Sequence, residues 1–371
     1  MKKNIHLIAG ARPNFMKIAP LYHALIKRDW ADVKLVHTGQ HYDANMSDSF
    51  FQDLKIPAPD FNLNVGSGTH AQQTAQVMIE YEKLCANDKP EWVIVVGDVN
   101  STIACSLVAA KLHIKVAHLE AGLRSRDRQM PEEINRIVTD QLSDLLWTPS
   151  IDGNENLKQE GIEANKIELV GNIMIDSFEL QRDRIKSATS VQDHYLQDKS
   201  FAVLTLHRPS NVDEQSRFAK IIQEINLVST LVSLVFPIHP RTKQKLKDFR
   251  LYDELSNNSN IKLCEPLGYI EFMNLVCSSQ IVITDSGGIQ EETTYLDIPC
   301  VTLRKNTERP ITIKQGTNIL VEPENLFTTV EKSLLKSSQR NQIQKPKYWD
   351  GQTANRVVNS LEKRLFGNNS D

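Results

Sequence analysis

The chain has 371 residues, enough for two domains at ~100–200 residues each. At 40% apolar and 24% charged it has the make-up of an ordinary globular protein, able to bury a core without disulfide or metal staples. A formal net charge of −3 argues against a dedicated nucleic-acid binder, and five scattered cysteines argue against a zinc cluster or a secreted disulfide framework. Cys85, Cys105, Cys264, Cys277 and Cys300 read instead as buried free thiols in a reducing cytoplasm. The opening Met1–Gly10 lacks the apolar core of a signal peptide, and the longest apolar-leaning stretch, Leu227–Ile238, falls short of the ~20 residues of a membrane span. A soluble cytoplasmic protein, with neither nucleic acid nor membrane as partner, is expected.

In chain order, short apolar runs alternate with segments of helical spacing. Ile5–Ala9, Val33–His37, Trp92–Val96, Val116–Leu119 and Ile167–Val170 read as strands, with Met16–Arg28 and Ser101–Leu112 as helices among them. A second series has strands at Phe201–Leu206, Leu231–Pro237, Ile261–Leu263, Ile281–Thr284, Cys300–Leu303 and Asn318–Val321, and helices at Arg217–Leu227 and Ile270–Cys277. Continuous apolar strands separated by helices predict α/β architecture, with parallel sheets covered on both faces. The polar stretch Gln181–Lys199 reads as a helix leading out of a hinge. Thr353–Leu365 has helical spacing after a chain reversal at Tyr348–Gly351. Two open sheets would place ligands at the carboxyl ends of their strands, facing a cleft between the domains.

Chemistry-bearing residues gather after those strands. Gly10-Ala11-Arg12-Pro13 follows the first, without the glycine pattern of a dinucleotide site or a P-loop. Arg12 and Lys17 either offer positive charge to a ligand or are surface cations. Asp98 follows Trp92–Val96, where Asn100 or Ser101 is suited to cap the next helix. Glu120 ends an apolar strand, a setting that favours acid–base use. Glu132 and Glu133 follow Pro131 at a helix start, where the helix dipole alone explains first-turn acids. Arg124, Arg126 and Arg128 are a solvated loop or part of an anion site. Ile281–Glu292 is the most informative segment: a strand, a Ser286-Gly287-Gly288 turn, then a helix, whose first N–H groups suit phosphate oxygens. Glu292 stands one turn further on, placed for a ribose, and Arg309 offers a counter-charge to a diphosphate. His207 and His239 end neighbouring strands. They form a pair facing the cleft or are held by local carboxylates; without a His-Glu-x-x-His pattern a metal is disfavoured.

The ordered set of motifs resembles the non-hydrolysing UDP-N-acetylglucosamine 2-epimerase family from Gly10 to about Gly351. It comprises Gly10-x-Arg12-Pro13-x-x-x-Lys17, Thr38-Gly39-Gln40-His41, Gly97-Asp98, Glu120-Ala121-Gly122-Leu123-Arg124, Pro131-Glu132-Glu133-x-Asn135-Arg136, His207-Arg208, Asp285 to Glu292, and Thr307-Glu308-Arg309-Pro310. The resemblance implies a GT-B fold: two doubly wound, Rossmann-like domains with a cleft between them and a C-terminal helix crossing back to the first. Residues 1–173, completed by 352–371, would carry the sugar and acid–base side, and 174–351 would bind UDP. The implied reaction is inversion at sugar carbon 2 by loss and re-addition of UDP through 2-acetamidoglucal, with no cofactor or metal, in a homodimer acting on a UDP-sugar and serving surface polysaccharide synthesis.

By the same resemblance Asp98, Glu120 and Glu132 are the proton-transfer or oxocarbenium-stabilising groups, and His207 stabilises departing UDP. Arg12 and Lys17 bind the nucleotide sugar, and Phe272 lies beside uracil. Ser286, Gly287 and Gly288 hold the diphosphate, Glu292 the ribose, and Arg309 makes a further ligand contact. Gln40 and His41 match a motif near a second, activating UDP-N-acetylglucosamine. Ala11, Leu267 and Ser210 depart from the Thr, Gln and Glu found in relatives. These departures leave UDP-2,3-diacetamido-glucuronic acid open as the substrate.

Overall fold

Runs such as Trp92–Val96, five apolar residues all buried, form strands because β-branched and aromatic side chains pack well on a pleated surface covered on both faces. The computed structural model describes residues 2–10, 12–39, 51, 53–194, 196–197, 200–337 and 345–367. The chain divides into two compact units, Met1–Leu180 with Lys347–Asp371, and Gln181–Pro346.

The first unit holds a seven-stranded sheet of β1 (Lys3–Ala9), β2 (Ala31–His37), β3 (Phe61–Asn62), β4 (Trp92–Val96), β5 (Lys115–Leu119), β6 (Leu145–Thr148) and β7 (Ile167–Leu169). Its spatial order is β3-β2-β1-β4-β5-β6-β7, and every pairing is parallel. The second unit repeats the plan with β8 (Phe201–Thr205), β9 (Ser233–Pro237), β10 (Ile261–Cys264), β11 (Ile281–Thr284), β12 (Cys300–Thr302) and β13 (Asn318–Leu320). Their order is β10-β9-β8-β11-β12-β13, again wholly parallel. Both sheets are doubly wound, as expected. In each, strand order reverses at one place, between β1 and β4 and between β8 and β11. Loops leaving the carboxyl ends on either side of such a switch point diverge and leave room for a ligand.

The second unit's core joins Leu204, Phe218, Ile222, Phe236, Ile283 and Leu326 from strands and flanking helices. Each such side chain contributes roughly 1.5–3 kcal/mol by burial. The helix Thr353–Phe366 buries Ala354, Val357, Val358 and Leu361, one stripe of helical period, within the first unit. It packs on the helix Arg12–Leu25. Trp147 Nε1 donates to Ser360 Oγ at 2.8 Å, and Asp176 accepts from the backbone N–H groups of Thr353 and Ala354 at 3.0 and 2.8 Å. A carboxylate distant in sequence thus caps a helix that starts without a capping side chain of its own.

The first sheet gains a strand that the apolar runs did not single out, Leu145–Thr148. Two readings of the sequence are corrected. Neither Asn100 nor Ser101 caps the helix Asn100–Lys111; Val99 is the cap residue, without a side-chain bond, and Ser101 Oγ instead pairs with Thr38 Oγ1 at 2.7 Å. Of the five free thiols, Cys277 is exposed and Cys264 half-buried.

Candidate active site

In the first unit the functional side chains stand at the carboxyl ends of β1, β4 and β5. Glu120 follows β5 directly, is 4% exposed and holds a left-handed backbone with φ of 71°. That conformation costs a side-chain-bearing residue about 1–2 kcal/mol. Lys17, one turn into the helix Arg12–Leu25, places its Nζ on Glu120 Oε2. The other oxygen, Oε1, is buried with no hydrogen-bond partner. Gly97, after β4, shares the spot: a Cβ there would lie 3.2 Å from Lys17 Nζ and 3.4 Å from Glu120 Oε2, and its φ of +69° is one that glycine adopts freely. Asn14, on the helix of Lys17, donates to Val96 O at 3.0 Å and holds that helix against the end of β4.

Asp98 comes next in the loop. The Arg136 guanidinium grips its Oδ2 through Nε at 2.9 Å and Nη2 at 2.6 Å. Through Nη1 the same guanidinium reaches Glu133 Oε2 at 2.7 Å. Burial works against the charge on Glu133, but the backbone N–H groups of Ser125 and Arg126, with Arg136, outweigh it and hold that carboxyl below the usual range. Glu133 is therefore a structural anchor for the loop. Glu132, half-exposed beside it, has a carboxyl without hydrogen bond or ion pair among the described residues. Beneath lies a buried chain. His118 Nε2 donates to Gly97 O at 2.8 Å, and Nδ1 faces Asp140 Oδ1 at 2.6 Å. Asp140 Oδ2 takes Arg124 Nη1 at 2.7 Å, and Arg124 forks onto Glu160 at 2.8 and 2.6 Å. Burial opposes the charge on Asp140, and His118 and Arg124 more than offset it, so its carboxyl lies below the ordinary range. Arg124 is thus neither solvated nor part of an anion site; Arg126, exposed, bonds Asn156 Oδ1 at 2.7 Å.

In the second unit the switch point between β8 and β11 is bridged by His207 and Asp285. Asp285 Oδ1 lies 3.0 Å from His207 Nδ1, and its carboxylate accepts backbone N–H bonds from His207 and Arg208 at 2.9–3.1 Å. Burial opposes ionisation of Asp285, but the imidazole and those N–H groups prevail and hold its pKa below the usual value. The His207 ring stays 37% exposed and lies 5.7 Å from the His239 ring. Burial, and then His207 and Arg241, lower the pKa of His239.

Ser286 precedes the helix Gly287–Leu296, and its side chain makes no capping bond, so the first N–H groups keep their capacity for an acceptor. A Cβ on Gly288 would meet nothing within 4 Å. Glu292, one turn on, is 4% exposed; burial raises its pKa to about 7 although Tyr269 OH donates to its Oε1 at 2.8 Å. Tyr269 and the half-buried Phe272 share the helix Tyr269–Ser278. Arg309 Nε lies 2.9 Å from Glu291 Oε2, and Nη1 contacts Glu308 Oε1.

The structure thus joins Lys17, Gly97 and Glu120 in one cluster with Asp98 next in the loop, and places Ser286, Gly287, Gly288, Glu292 and Arg309 around one turn. Arg12 is the first residue of its helix. Gln40 and His41 lie outside the described residues. Among the described residues there is no group of three or more His, Cys, Asp and Glu side chains able to hold a metal, and no helix long and apolar enough to cross a membrane. Sequence reasoning missed the Arg136 fork, the Tyr269–Glu292 bond and the His118–Asp140 pair, whose partners lie 38, 23 and 22 positions apart. Arg136, Asp98 and Glu292 stood inside motifs, but nothing in the sequence singled out His118, Asp140 or Tyr269 as partners.

Residues 23–362 match the model of the UDP-N-acetylglucosamine 2-epimerase family. A UDP-N-acetylglucosamine 2-epimerase of Methanocaldococcus jannaschii is 44% identical over 96% of this chain and 98% of its own. A UDP-2,3-diacetamido-2,3-dideoxy-D-glucuronate 2-epimerase of Pseudomonas aeruginosa is 40% identical over 96% of this chain and 98% of its own. The crystal structure of the M. jannaschii UDP-GlcNAc 2-epimerase, in complex with UDP-GlcNAc and UDP, superposes with a TM-score of 0.87 at 43% identity, covering 97% of this chain and 99% of that one.

Proposed function

This chain belongs to the UDP-N-acetylglucosamine 2-epimerase family, with a GT-B fold, and we propose that it interconverts UDP-N-acetylglucosamine and UDP-N-acetylmannosamine without releasing the sugar. The proton on carbon 2 adjoins no carbonyl and is not acidic, so direct abstraction is too slow. Cleaving the bond from carbon 1 to UDP solves this. The electron pair of that bond leaves on the β-phosphate oxygen, carbon 2 gives up its proton to a carboxylate, and the carbon–hydrogen pair becomes the double bond of 2-acetamidoglucal. UDP then re-adds to carbon 1 while carbon 2 takes a proton from the opposite face.

The observation that carries this reading is Glu120. One oxygen is fixed by Lys17 and the other is buried without a partner, on a backbone in a costly conformation. Unsatisfied buried acceptors and strained backbone are retained where function uses them. In this reading Glu120 Oε1 takes the carbon-2 proton, Asp98 and Glu132 serve as the opposing acid and as stabilisers of positive charge at carbon 1, and Arg12 and Lys17 bind the nucleotide sugar. The Ser286–Gly288 turn and His207 receive the diphosphate, Glu292 the ribose, Phe272 the uracil and Arg309 the departing charge. Gln40 and His41 are assigned to a second UDP-N-acetylglucosamine. A homodimer working in the cytoplasm without a cofactor completes the reading.

Phosphorus NMR of a reaction run to equilibrium tests it: the UDP-sugar pool should stay intact while its sugar redistributes. Free UDP rising in step with turnover would assign a hydrolysing epimerase instead. The 40% identity to the P. aeruginosa 2-epimerase favours one second reading, the same chemistry on UDP-2,3-diacetamido-glucuronate. Comparing kcat/KM for the two UDP-sugars decides between them.

A further inference from the structure

We propose that Arg304 is a second cationic grip on the terminal phosphate of UDP, reading the charge that develops there as the sugar departs. The proposal rests on the assignment of the Ser286–Gly288 turn to the diphosphate and adds a residue that no motif singled out.

Arg304 follows β12 and is 9% exposed. Its Nη2 donates to Glu308 Oε2 at 2.9 Å, which fixes the guanidinium. Its Nη1 is buried with no hydrogen-bond partner. That nitrogen points at the phosphate turn: a Cβ added to Gly287 would lie 3.6 Å from it and 2.8 Å from Arg309 Nη1. The two faces of the turn therefore differ. Beneath Gly287 sit Arg304, Arg309 and Glu308, while the space beside Gly288 is open. The fold gives no packing reason for Gly288 to lack a side chain, whereas an approaching oxyanion does.

The charges support the same conclusion. Arg304 and Arg309 are balanced by Glu308 and Glu291, so the cluster is neutral as it stands. Glu308 spends one oxygen on each arginine. A buried guanidinium N–H is costly to leave unmade, and this one lies against the same turn whose first helix N–H groups have no side-chain cap. Departure of UDP puts a further negative charge on the β-phosphate. An N–H satisfied only by that phosphate binds the transition state better than the ground state. Arg309, paired through Nε with Glu291 and through Nη1 with Glu308, is the first grip on that charge, and Arg304 adds its Nη1 N–H beside it.

The test compares the affinities of the full chain for UDP and UMP by calorimetry. Arg304→Ala should weaken UDP binding by about 10- to 100-fold, the scale of one charge-assisted hydrogen bond, and UMP binding by less than about 3-fold. Methylguanidinium added to the variant should restore both UDP affinity and turnover. Arg304→Lys, which keeps the charge and the Glu308 pairing, should fall between the two and serves as the decisive variant if the alanine protein does not fold. Equal weakening of UDP and UMP, unchanged UDP affinity, or no rescue by methylguanidinium would overturn the proposal. Glu292→Ala is the control for the underlying assignment. It should weaken UDP and UMP alike, and unchanged affinity for both would remove the nucleotide from this turn altogether, a failure distinct from that of Arg304.

Discussion

At the carboxyl end of the first sheet, cations serve acids: Lys17 fixes one oxygen of Glu120, and Arg136 holds Asp98 and Glu133 together. At the same end of the second sheet, acids serve cations: Glu308 divides itself between Arg304 and Arg309, Glu291 braces Arg309, and Asp285 steadies His207. Two units built on one winding plan thus carry opposite electrostatic designs. An acid whose partner leaves one oxygen unused is suited to moving a proton. A cation whose partner leaves one N–H unused is suited to receiving a departing anion. The scaffold fixes where the groups stand, and which partner is left unsatisfied sets the task.

Substitutions in each unit should separate these tasks. The largest effect is expected for Glu120→Gln, which should lower kcat by roughly 10²–10⁴, the scale of a positioned acid–base group. UDP affinity, assigned to the other unit, should stay the same by titration. Loss of UDP binding in step with turnover would erase the division of labour. Arg136→Lys keeps the charge but breaks the fork on Asp98. It should lower kcat by about 10–10² through misplacement of the carboxylate, again with UDP affinity kept.

The second unit should respond to pH instead. The ordinary pKa of a glutamate is 4.5, and burial raises that of Glu292 to about 7. The folded, ligand-free protein therefore holds a proton that the unfolded chain has given up between those values. Stability from this group is complete below pH 4.5 and is lost as pH rises through about 7. If ribose hydroxyls donate to the ionised carboxylate, binding opposes that protonation. Affinity for UDP-N-acetylglucosamine, measured on the Glu120→Gln protein to suppress turnover, should tighten by about tenfold from pH 6 to 8. Glu292→Gln should flatten the profile, and a profile unchanged by this substitution would contradict the ribose role. The smallest effect on turnover is expected for Asp176→Ala, which uncaps the helix Thr353–Phe366. Denaturant titration should show a loss of about 1 kcal/mol, with kcat near that of the unsubstituted protein.

Much of this organisation was legible in the sequence because parallel strands buried on both faces write themselves as unbroken apolar runs. Trp92–Val96 and Ile281–Thr284 emerge with the boundaries that their apolar runs mark in the sequence. Leu145–Thr148 did not, because Leu142, Leu145 and Leu146 continue the helical spacing of the preceding segment with no glycine or proline to mark the break. Phe61–Asn62 is too short to show a period. In the candidate site, the strand-end positions of Glu120 and Asp98 were legible because each follows an apolar strand, Glu120 directly and Asp98 after Gly97. The status of Glu133 was not, since a first-turn acid looks the same whether it faces solvent or accepts from Ser125, Arg126 and Arg136. Arg304 was silent for a related reason: its significance is an unused hydrogen beside Gly287, and sequence spacing carries no record of which bonds remain unmade.

The central claim is that a carboxylate in the first unit exchanges the hydrogen on carbon 2 while UDP is detached. Its most direct test is incubation with UDP-N-acetylglucosamine in heavy water, followed by proton NMR of the sugar ring. UDP-N-acetylmannosamine should bear deuterium at carbon 2, with the label entering the recovered substrate as well. Turnover that leaves carbon 2 fully protonated would contradict it.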